Sequence, residues 1–410
     1  MMPTRGKSRK SLDETSPMTA GRTPGGLALR IRLPALVRSV PGEVYLLGGI
    51  TVLLVMLGVV MVFSASSVEQ QVLNGNPFSV GEKQATFAAA GVAVMLLVAR
   101  IRRSFWVRIA PWALAGALLL QLLTALTPLG TEVGGNQNWI NLGGVTVQPS
   151  EFLKIALVLA VAAFFARREP VTLQELSPVL LMGALSIAAI YAGKDMGTSI
   201  VVAIALFTGL FFAGIRLRLF VLPILLVSAG AFFAVTLRGS RSDRVAAWLS
   251  NCSSDPAGTC WQAVQGTWAL AHGGIFGVGL GQSSSKWSWL PEASNDFIVA
   301  IIGEETGLIG LLTLLTLFVL LAFVLIRITG RTRDPFARVA TAMILAWMIG
   351  QAFINIAVVL GLLPVLGVPL PFISAGGSSL VANLIAIGIV MSLARPRTDD
   401  STDSAVPPSQ

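Results

Sequence analysis

Apolar residues fill long stretches of this chain, and short polar stretches separate them at fairly regular intervals. A helix that spans a bilayer needs about 20 mostly apolar residues, and runs near that length recur along most of the sequence. They predict ten spans, at about 44–65, 83–100, 105–127, 149–166, 175–193, 197–214, 218–237, 296–326, 337–360 and 377–394. The eighth run is longer than one crossing needs, so we expect its helix to be tilted or partly outside the membrane.

The composition agrees with this pattern. Of 410 residues, 54% are hydrophobic and only 12% are charged, a charged fraction about half that of soluble proteins. We therefore predict an all-α, polytopic membrane protein of about ten transmembrane helices, with one transmembrane domain at residues 44–395. Residues 1–43 are polar and basic and predict a disordered cytoplasmic tail without a cleavable signal. Residues 396–410 predict a second cytoplasmic tail.

The basic residues indicate how the chain is oriented. Lys and Arg gather in the connections on one side of the predicted spans, as the positive-inside rule expects of a cytoplasmic face. The net charge of +9 therefore does not require a nucleic-acid partner. Both termini are then cytoplasmic, and the large loop 238–295, between the seventh and eighth spans, is extracytoplasmic. Five tryptophans in this loop predict a cap packed on the membrane surface: Trp248, Trp261, Trp268, Trp287 and Trp289.

Both cysteines of the chain, Cys252 and Cys260, lie in this outer loop. The Asp-Pro and Ala-Gly pairs between them favour a turn that brings the two sulfurs together. Because the outer face is oxidising, we predict a disulfide between them. Two free thiols are the alternative.

Carboxylates cluster where the eighth predicted span begins. Asp296 starts the apolar run, and Glu304 and Glu305 follow two turns later. A charge within hydrocarbon costs a few kcal/mol or more, so such residues are kept mainly for a function or a partner. This cluster is the first indication of a site at the outer face.

A second candidate stretch begins the fourth span. Gln148 and the proline after it are typical of a helix start, and Glu151 suits the positive end of the helix dipole. Glu151 and Lys154 are three residues apart and share a helix face, so they can form an ion pair. A structural pair is the favoured interpretation, with Lys154 still able to present its charge to an anion.

Other stretches are less specific. Lys194 and Asp195 indicate either an interfacial turn or a functional pair. The glycines of residues 273–281, followed by Lys286, superficially resemble a phosphate loop, but a loop folding back on helices explains them equally well. The single histidine, His272, is expected to be packed or hydrogen-bonded. Residues 361–379 contain three prolines and several glycines, so they cannot form a regular helix and should wall a polar cavity.

Together and in this order, these stretches resemble the SEDS family of bacterial cell-wall synthases. The matching segments are residues 138–139, 148–151, 194–198, 291–298, 303–305, 370–374 and 376–379. The similarity is greatest to division-type members from actinobacteria, with the elongation type as the alternative. Three positions depart from the family pattern: Asn138 replaces an Arg, Ser294-Asn295 replaces His-Thr, and Ala375 replaces a Tyr.

The resemblance implies an inverting peptidoglycan glycosyltransferase that polymerises lipid II and releases undecaprenyl pyrophosphate. By position, the essential aspartate is Asp296, and the loop tryptophan is Trp139. We expect further residues to bind substrate or to support the site: Gln148, Glu151, Lys154, Lys194, Asp195, Lys286, Glu292, Glu304, Ser378 and Ser379.

This chemistry agrees with the residue types. A sugar hydroxyl attacks an anomeric carbon that carries a lipid pyrophosphate, and a carboxylate accepts the hydroxyl proton. One-step displacement inverts an α-linked donor into a β-linkage. The leaving pyrophosphate needs a cation, for which Lys154, Lys194, Arg244, Lys286 or a divalent metal such as Mg²⁺ or Mn²⁺ are candidates.

Two other functions stay open at this point: a flippase for lipid II and a non-catalytic scaffold for division proteins. The concentration of charges in the outer half favours the enzyme. The resemblance also implies a class B penicillin-binding transpeptidase as partner, other division proteins, and a place in the plasma membrane at the septum. Small residues of the last two spans could receive the partner's helix: Ala342, Ala346, Gly350, Ala382 and Gly388.

Overall fold

The computed structural model describes residues 42–133, 136–168, 172–236, 239–250, 258, 260–287 and 289–395. Residues 1–41 of the predicted N-terminal tail, the predicted tail 396–410 and Cys252 lie outside the described residues.

A helix occupies each of the ten predicted spans, so the apolar pattern located these elements correctly. These helices are α1 (Gly42–Asn74), α2 (Ser79–Val98), α3 (Arg103–Leu126), α4 (Pro149–Phe165), α5 (Leu173–Ala192), α6 (Met196–Phe212), α7 (Val221–Thr236), α10 (Ile298–Arg331), α11 (Pro335–Val359) and α12 (Gly377–Leu393). A 3₁₀ turn, Leu217–Phe220, precedes α7. Within the described residues, α1, α3, α5, α10 and α11 are long and apolar enough to cross a membrane by themselves. The number of crossings stays a prediction.

The centre of the bundle is α4. Almost every residue from Pro149 to Phe165 is buried, on all sides of the helix. This is the expected position of a helix that is apolar all round. It packs against α3, α11, α5 and α6, and α11 in turn packs against α6 and α10. The polar N-terminal turn of α4 therefore lies among several other helices, where the site is built.

The connection between α3 and α4 contains strands, which the all-α prediction missed. β1 (Gly130–Val133), β2 (Asn136–Leu142) and β3 (Val145–Val147) form a small antiparallel sheet in the order β1-β2-β3. Gly143 and Gly144 have positive φ and make the tight turn between β2 and β3. The segment is short and lacks a long apolar run, so its signal is weak beside that of the membrane helices.

The predicted outer loop contains two helices, α8 (Gly239–Leu249) and α9 (Trp261–Gly273). The prediction that its tryptophans pack into a cap is only partly correct. The rings of Trp261 and Trp289 lie tilted against each other, with 6.1 Å between ring centroids. The indole N–H of Trp248 donates to the Gly361 main-chain oxygen at 2.9 Å. Yet Trp268, Trp287 and Trp289 are 65%, 64% and 56% exposed.

The glycine-rich stretch 273–281 closes a break in α10 rather than binding phosphate. Gly307 has φ 66° and ψ −165°, so α10 is interrupted there instead of only being tilted. The main-chain N–H groups of Val278 and Gly279 donate to the main-chain oxygens of Glu304 and Glu305, at 2.9 and 3.0 Å, which the break in the helix leaves free. The main-chain groups of a helix break need such partners inside a membrane protein.

Three of the five small residues that could receive a partner helix lie inside the bundle, while Ala346 and Gly350 are partly exposed and docking there stays a prediction. Ala342 and Ala382 are completely buried inside the bundle. A Cβ on Gly388 would lie 2.7 Å from the Met95 oxygen of α2. The small residues allow close packing between helices of this chain, and sequence alone could not tell that use from docking.

Candidate functional site

Three buried carboxamides hold the non-helical segment between α11 and α12, residues 361–376, which we call the broken segment. Gln84 of α2 donates to the Ser374 oxygen at 3.2 Å and accepts from the Gly376 amide at 3.2 Å. Gln351 of α11 donates to the Pro369 oxygen at 2.8 Å. Side-chain amides thus replace the hydrogen bonds that a helix would supply. This confirms that 361–376 is irregular backbone at the edge of the bundle.

Asp296 lies in the turn just before α10, against the broken segment. Asn355 of α11 donates to the main-chain oxygens of both Asp296 and Val368, at 2.8 and 2.7 Å. A Cβ placed on Gly367 would come within 3.5 Å of Asp296 Oδ2, so a glycine leaves room at the carboxylate. Ser374 Oγ also donates to the Asn295 oxygen at 2.7 Å. The main chain at Asn295 and Asp296 is therefore held against the broken segment.

The surroundings of Asp296 make it a base near neutral pH. The pKa of this carboxyl is raised to about 7, mainly by burial and also by the negative charges of Glu292 and Asp195, while the positive charge of Arg244 opposes the rise. Its ordinary value is 3.8. A general base works best when its pKa lies near the operating pH.

The Glu151–Lys154 pair forms as predicted, in the interior of the bundle. Lys154 Nζ lies 2.9 Å from Glu151 Oε1 and 3.1 Å from Gln351 Oε1, and 4.4 Å from the centre of the Trp347 ring. Because Gln351 also holds Pro369, the pair is connected to the broken segment. With these partners Lys154 has no side facing a cavity large enough for a substrate; the adjoining void is about 10 Å³. The structural interpretation is the one that the geometry favours.

Other predicted residues extend this network. Asp195 caps α6 by accepting from the Thr198 amide at 2.8 Å, and Gln148 donates to its other oxygen at 3.2 Å. The main-chain N–H of Gln148 also donates to Ser378 Oγ at 3.2 Å. Ser379 Oγ donates to Glu151 Oε2 at 3.2 Å. The starts of α4, α6 and α12 are thereby joined by side-chain hydrogen bonds.

Backbone strain is concentrated in the same stretches. Among the described residues, the non-glycine residues with positive φ are Lys194, Glu292 and Phe372. Each lies in a turn beside the network: before Asp195, before Asp296 and within the broken segment. Such conformations cost about 1–3 kcal/mol and tend to occur at functional sites.

Two predicted substrate-binding residues hold the outer loop instead. Glu304 is completely buried and accepts from Ser283 Oγ at 2.5 Å, from Ser284 Oγ at 2.8 Å and from His272 at 2.9 Å. Lys286 is buried against Glu305, at 3.3 Å, and donates to the Gly281 oxygen. Neither side chain is available to a ligand. The expectation that His272 is hydrogen-bonded is confirmed.

Trp139 and Lys194 lie on the sheet side of the site. Trp139 is half-buried in β2. Its neighbour Asn138 is completely buried and accepts from Gln121 at 3.2 Å. Lys194 lies 3.6 Å from exposed Glu132. The position where the family usually carries an Arg is therefore filled by a neutral, buried side chain.

Another departure from the family pattern leaves a contact intact. The Ala375 amide donates to the Ser294 oxygen at 2.9 Å. Both positions carry unusual side chains, yet the bond between their main chains links the broken segment to the turn before Asp296.

Cys260 is disulfide-bonded. Since Cys252 lies outside the described residues, the pairing of these two cysteines stays a prediction.

A cavity of about 230 Å³ opens between α8, α9 and the broken segment. Arg244 and Trp248 of α8 line it together with Thr267 and Trp268 of α9. The remaining walls are largely apolar: Ala263, Val264, Leu363, Pro364 and Val365. Asp296 is not among the lining residues, but the charge of Arg244, which lines the cavity, acts on the Asp296 carboxyl.

Sequence reasoning missed Gln84, Gln351 and Asn355, although they hold the catalytic region. Each is an amide inside a predicted span, and Gln351 and Asn355 are four apart on one face of α11. Neutral amides do not stand out from an apolar run as charges do. Counting amides at helical spacing would have found them.

Comparison with known proteins identifies the family. Residues 45–399 match the family described as "Cell cycle protein", which covers FtsW, RodA and SpoVE. The chain belongs to this family. The SEDS resemblance is therefore confirmed, and so is a helical membrane fold.

Several relatives are similar over most of the chain. A probable peptidoglycan glycosyltransferase FtsW of Mycobacterium tuberculosis is 40% identical over 395 residues, covering 96% of this chain and 75% of the relative. The FtsW of Geobacter metallireducens is 36% identical over 345 residues, covering 83% of this chain and 92% of the relative. Stage V sporulation protein E of Bacillus subtilis is 34% identical, with coverage of 84% and 95%.

Solved structures share the fold. A chain from a study titled "Structural coordination of polymerization and crosslinking by a peptidoglycan synthase complex" has a TM-score of 0.70 at 24% identity, covering 88% of this chain and 98% of that one. The rod shape determining protein RodA of Thermus thermophilus has a TM-score of 0.62 at 24% identity, with coverage of 86% and 95%.

Proposed function

We propose that this protein is the peptidoglycan glycosyltransferase of cell division, which polymerises lipid II with β-1,4 linkages and releases undecaprenyl pyrophosphate. Relatives at 40% and 36% identity carry the name peptidoglycan glycosyltransferase FtsW. The observation that carries the proposal is Asp296: a half-buried carboxylate with a pKa of about 7, in a turn whose main chain is held against the broken segment.

In the reaction, the hydroxyl oxygen of the acceptor sugar attacks the anomeric carbon of the donor. The hydroxyl proton passes to Asp296, and the bond between the anomeric carbon and the pyrophosphate oxygen breaks. The electron pair of that bond leaves with the lipid pyrophosphate. A single displacement inverts the anomeric centre. The main chain around Asp296 is fixed by Asn355 and Ser374, which keeps the base in place during the transfer.

The polar network supports an enzyme better than a flippase. It ends at Lys154, and α4 continues from Ile155 to Phe165 with apolar residues alone. The void beside Lys154 measures about 10 Å³ and is otherwise lined by apolar residues, tryptophan and methionine. A flippase for a charged sugar lipid requires polar groups at both depths of the membrane.

A divalent cation, Mg²⁺ or Mn²⁺, remains part of the proposal. The described residues contain no group of three or more His, Cys, Asp or Glu side chains placed to hold a metal. Mg²⁺ is commonly held by one or two carboxylates together with substrate phosphates. No described carboxylate lines the outer cavity, so the ion would be held there mainly by the phosphates of the substrate.

We further propose a class B penicillin-binding transpeptidase as the partner that crosslinks the product, with both termini in the cytoplasm and the protein at the septum. A structural neighbour comes from a synthase complex of polymerisation and crosslinking, which supports a coupled partner. Co-purification from membranes with the transpeptidase checks this part.

The deciding experiment is purified protein in lipid nanodiscs, with its partner, supplied with lipid II. We expect glycan polymer from the wild type and none from Asp296→Asn, which keeps the shape but cannot act as a base. Glu82→Gln removes an exposed charge outside the site and is expected to polymerise normally. Translocated lipid without polymer identifies a flippase, and normal polymerisation by Asp296→Asn removes Asp296 from the mechanism.

A further inference from the structure

The structure sorts the cations that could neutralise the leaving pyrophosphate. Lys154 is buried against Glu151, Gln351 and the Trp347 ring. Lys286 is buried against Glu305 and the Gly281 oxygen. Both are fully occupied inside the protein, and neither lines the outer cavity.

Lys194 is also engaged elsewhere. It lies 3.6 Å from Glu132 of β1, on the sheet side of the site. It is not among the residues that line the cavity between α8, α9 and the broken segment. Of the four cations weighed from the sequence, Arg244 alone lines that cavity.

Arg244 is exposed, and within the described part of the chain it pairs with no carboxylate. Its charge nevertheless acts on the carboxyl of Asp296. A guanidinium presents a rigid fork of donors that matches phosphate oxygens. The guanidinium is thus near the base and still has its hydrogen-bonding capacity available for a ligand.

The position of Arg244 is set by Trp248, one turn later on the same face of α8. The Trp248 indole donates to the Gly361 oxygen at the start of the broken segment, at 2.9 Å. From the other side, α9 packs Gly266 against Phe297, where an added Cβ would lie 2.8 Å from the ring. Thus α8 is tied to the broken segment, and α9 packs against the residue that follows Asp296.

The cavity has one charged end and apolar walls. Arg244 and the Thr267 hydroxyl are its polar side chains besides the tryptophan indoles. The rest of the lining is Cys260, Ala263, Val264, Gly361, Leu363, Pro364 and Val365. At about 230 Å³ it is smaller than the pockets that enclose whole drug-sized ligands. It suits a diphosphate headgroup and the first part of an apolar chain rather than a disaccharide.

We propose that Arg244 binds the diphosphate of a polyprenyl diphosphate, with the start of the lipid chain along the apolar walls of this cavity. This proposal rests on the proposed function, and it assigns a binding residue to the diphosphate that leaves with the electron pair of the broken bond. As the bond from the anomeric carbon to the diphosphate oxygen breaks, negative charge grows on that oxygen. Arg244 stabilises it, while the hydroxyl proton passes to Asp296.

Binding is tested without turnover, using geranylgeranyl diphosphate as the probe on purified full-length protein in detergent. Loss of a charge-assisted contact is expected to weaken binding by about tenfold to a hundredfold in Arg244→Ala. Arg244→Lys keeps the charge and is expected to recover part of it. Arg218→Ala, which removes an equally exposed arginine from the 3₁₀ turn before α7, is the matched control and should bind as the wild type does.

Two further probes identify the ligand. Inorganic pyrophosphate should bind much more weakly than geranylgeranyl diphosphate, and geranylgeraniol should show no dependence on Arg244. Equal binding of inorganic pyrophosphate would mean a free-anion site and overturn the lipid-linked assignment. Wild-type affinity of Arg244→Ala for geranylgeranyl diphosphate would overturn the role of Arg244 itself. If Arg244→Ala does not fold, Arg244→Gln decides, since a folded glutamine variant that binds geranylgeranyl diphosphate as tightly as the wild type rejects the role of Arg244.

Catalysis gives an independent readout. In the wild type the positive charge of Arg244 lowers the pKa of Asp296 against the effect of burial. Arg244→Ala should therefore move the acid limb of the polymerisation rate to higher pH, and Arg218→Ala should not. A merely structural role would lower the rate equally at every pH. If binding depends on Arg244 but the wild type forms no polymer, the proposed function fails and the diphosphate site remains. If the wild type forms polymer but binding does not depend on Arg244, the proposed function remains and the diphosphate site fails.

Discussion

The side-chain amide of Asn355 bridges two main-chain oxygens, of Asp296 at 2.8 Å and of Val368 at 2.7 Å. It therefore joins the turn before α10 to the broken segment through a single side chain of α11. The main chain of the proposed base is thus held by a neutral residue that carries no chemistry of its own. Removing this bridge should separate effects on catalysis from effects on folding.

Asn355→Leu is expected to lower polymerisation at least tenfold, because Asp296 and the broken segment lose their common donor. Leaving those buried oxygens unpaired should also cost roughly 1–3 kcal/mol of stability. Polymer yield and the thermal unfolding of the purified protein measure the two effects.

Thr341→Val is the matched control on the same helix. Thr341 is buried, and its hydroxyl oxygen has no hydrogen-bond partner among the described residues. It lies about 21 Å along α11 from Asn355, at 1.5 Å per residue. We expect normal activity and unchanged or higher stability. Equal loss in both variants would mean that any change in α11 disturbs the site.

The pH dependence of the reaction should report Asp296. Because the pKa of this carboxyl is raised to about 7, the polymerisation rate should rise with pH around that value. A rate that stays constant across pH 5–9 would instead show that Asp296 titrates like an exposed carboxyl. Single-turnover rates across pH 5–9 with saturating lipid II are the measurement.

Stability should depend on the same group with a definite sign. A carboxyl whose folded pKa is raised favours the folded state fully below its unfolded value of 3.8, and this contribution is lost as the pH rises through about 7. Asp296→Asn should thus unfold at a higher temperature than the wild type at pH 8, and the difference should disappear near pH 4. A difference that does not change with pH would reject the linkage.

The Glu151–Lys154 pair is expected to be structural. Lys154→Met leaves the Glu151 carboxylate uncompensated inside the bundle and should destabilise the protein by about 3–5 kcal/mol. The double variant Glu151→Gln/Lys154→Met removes both charges and should recover most of that loss together with polymerisation. A stable but inactive double variant would instead place Lys154 on the substrate.

Gly307 should tolerate no side chain. Its φ is 66°, and an added Cβ would lie 2.3 Å from the Gly277 amide nitrogen and 2.4 Å from the Ile275 oxygen. Gly307→Ala should release the glycine-rich stretch from the break in α10 and greatly reduce folded yield. Gly330→Ala, in the same helix but with open space around it, should express normally. Fluorescence-detected gel filtration compares the two, and an intact Gly307→Ala peak would contradict the strain argument.

The sequence alone was enough to locate the helices and to indicate which charged residues belong to the candidate site. Burial in a bilayer makes apolar runs about 20 residues long, so the ten helices could be located from their pattern. Charges such as Asp296 and the Glu151–Lys154 pair stand out because the surrounding chain is apolar. Their spacing was enough to predict the ion pair, since i and i+3 residues share a helix face.

Only the packed fold shows which polar side chains are bonded inside the protein and which remain available to a ligand. Glu304 and Lys286 look like site residues along the chain, but they hold the outer loop. Asn355 and Gln351 look incidental, yet they position Asp296 and the broken segment. A hydrogen bond between residues 59 positions apart leaves no local pattern. The availability of Arg244 likewise follows from what the other cations contact, which only the packed fold specifies.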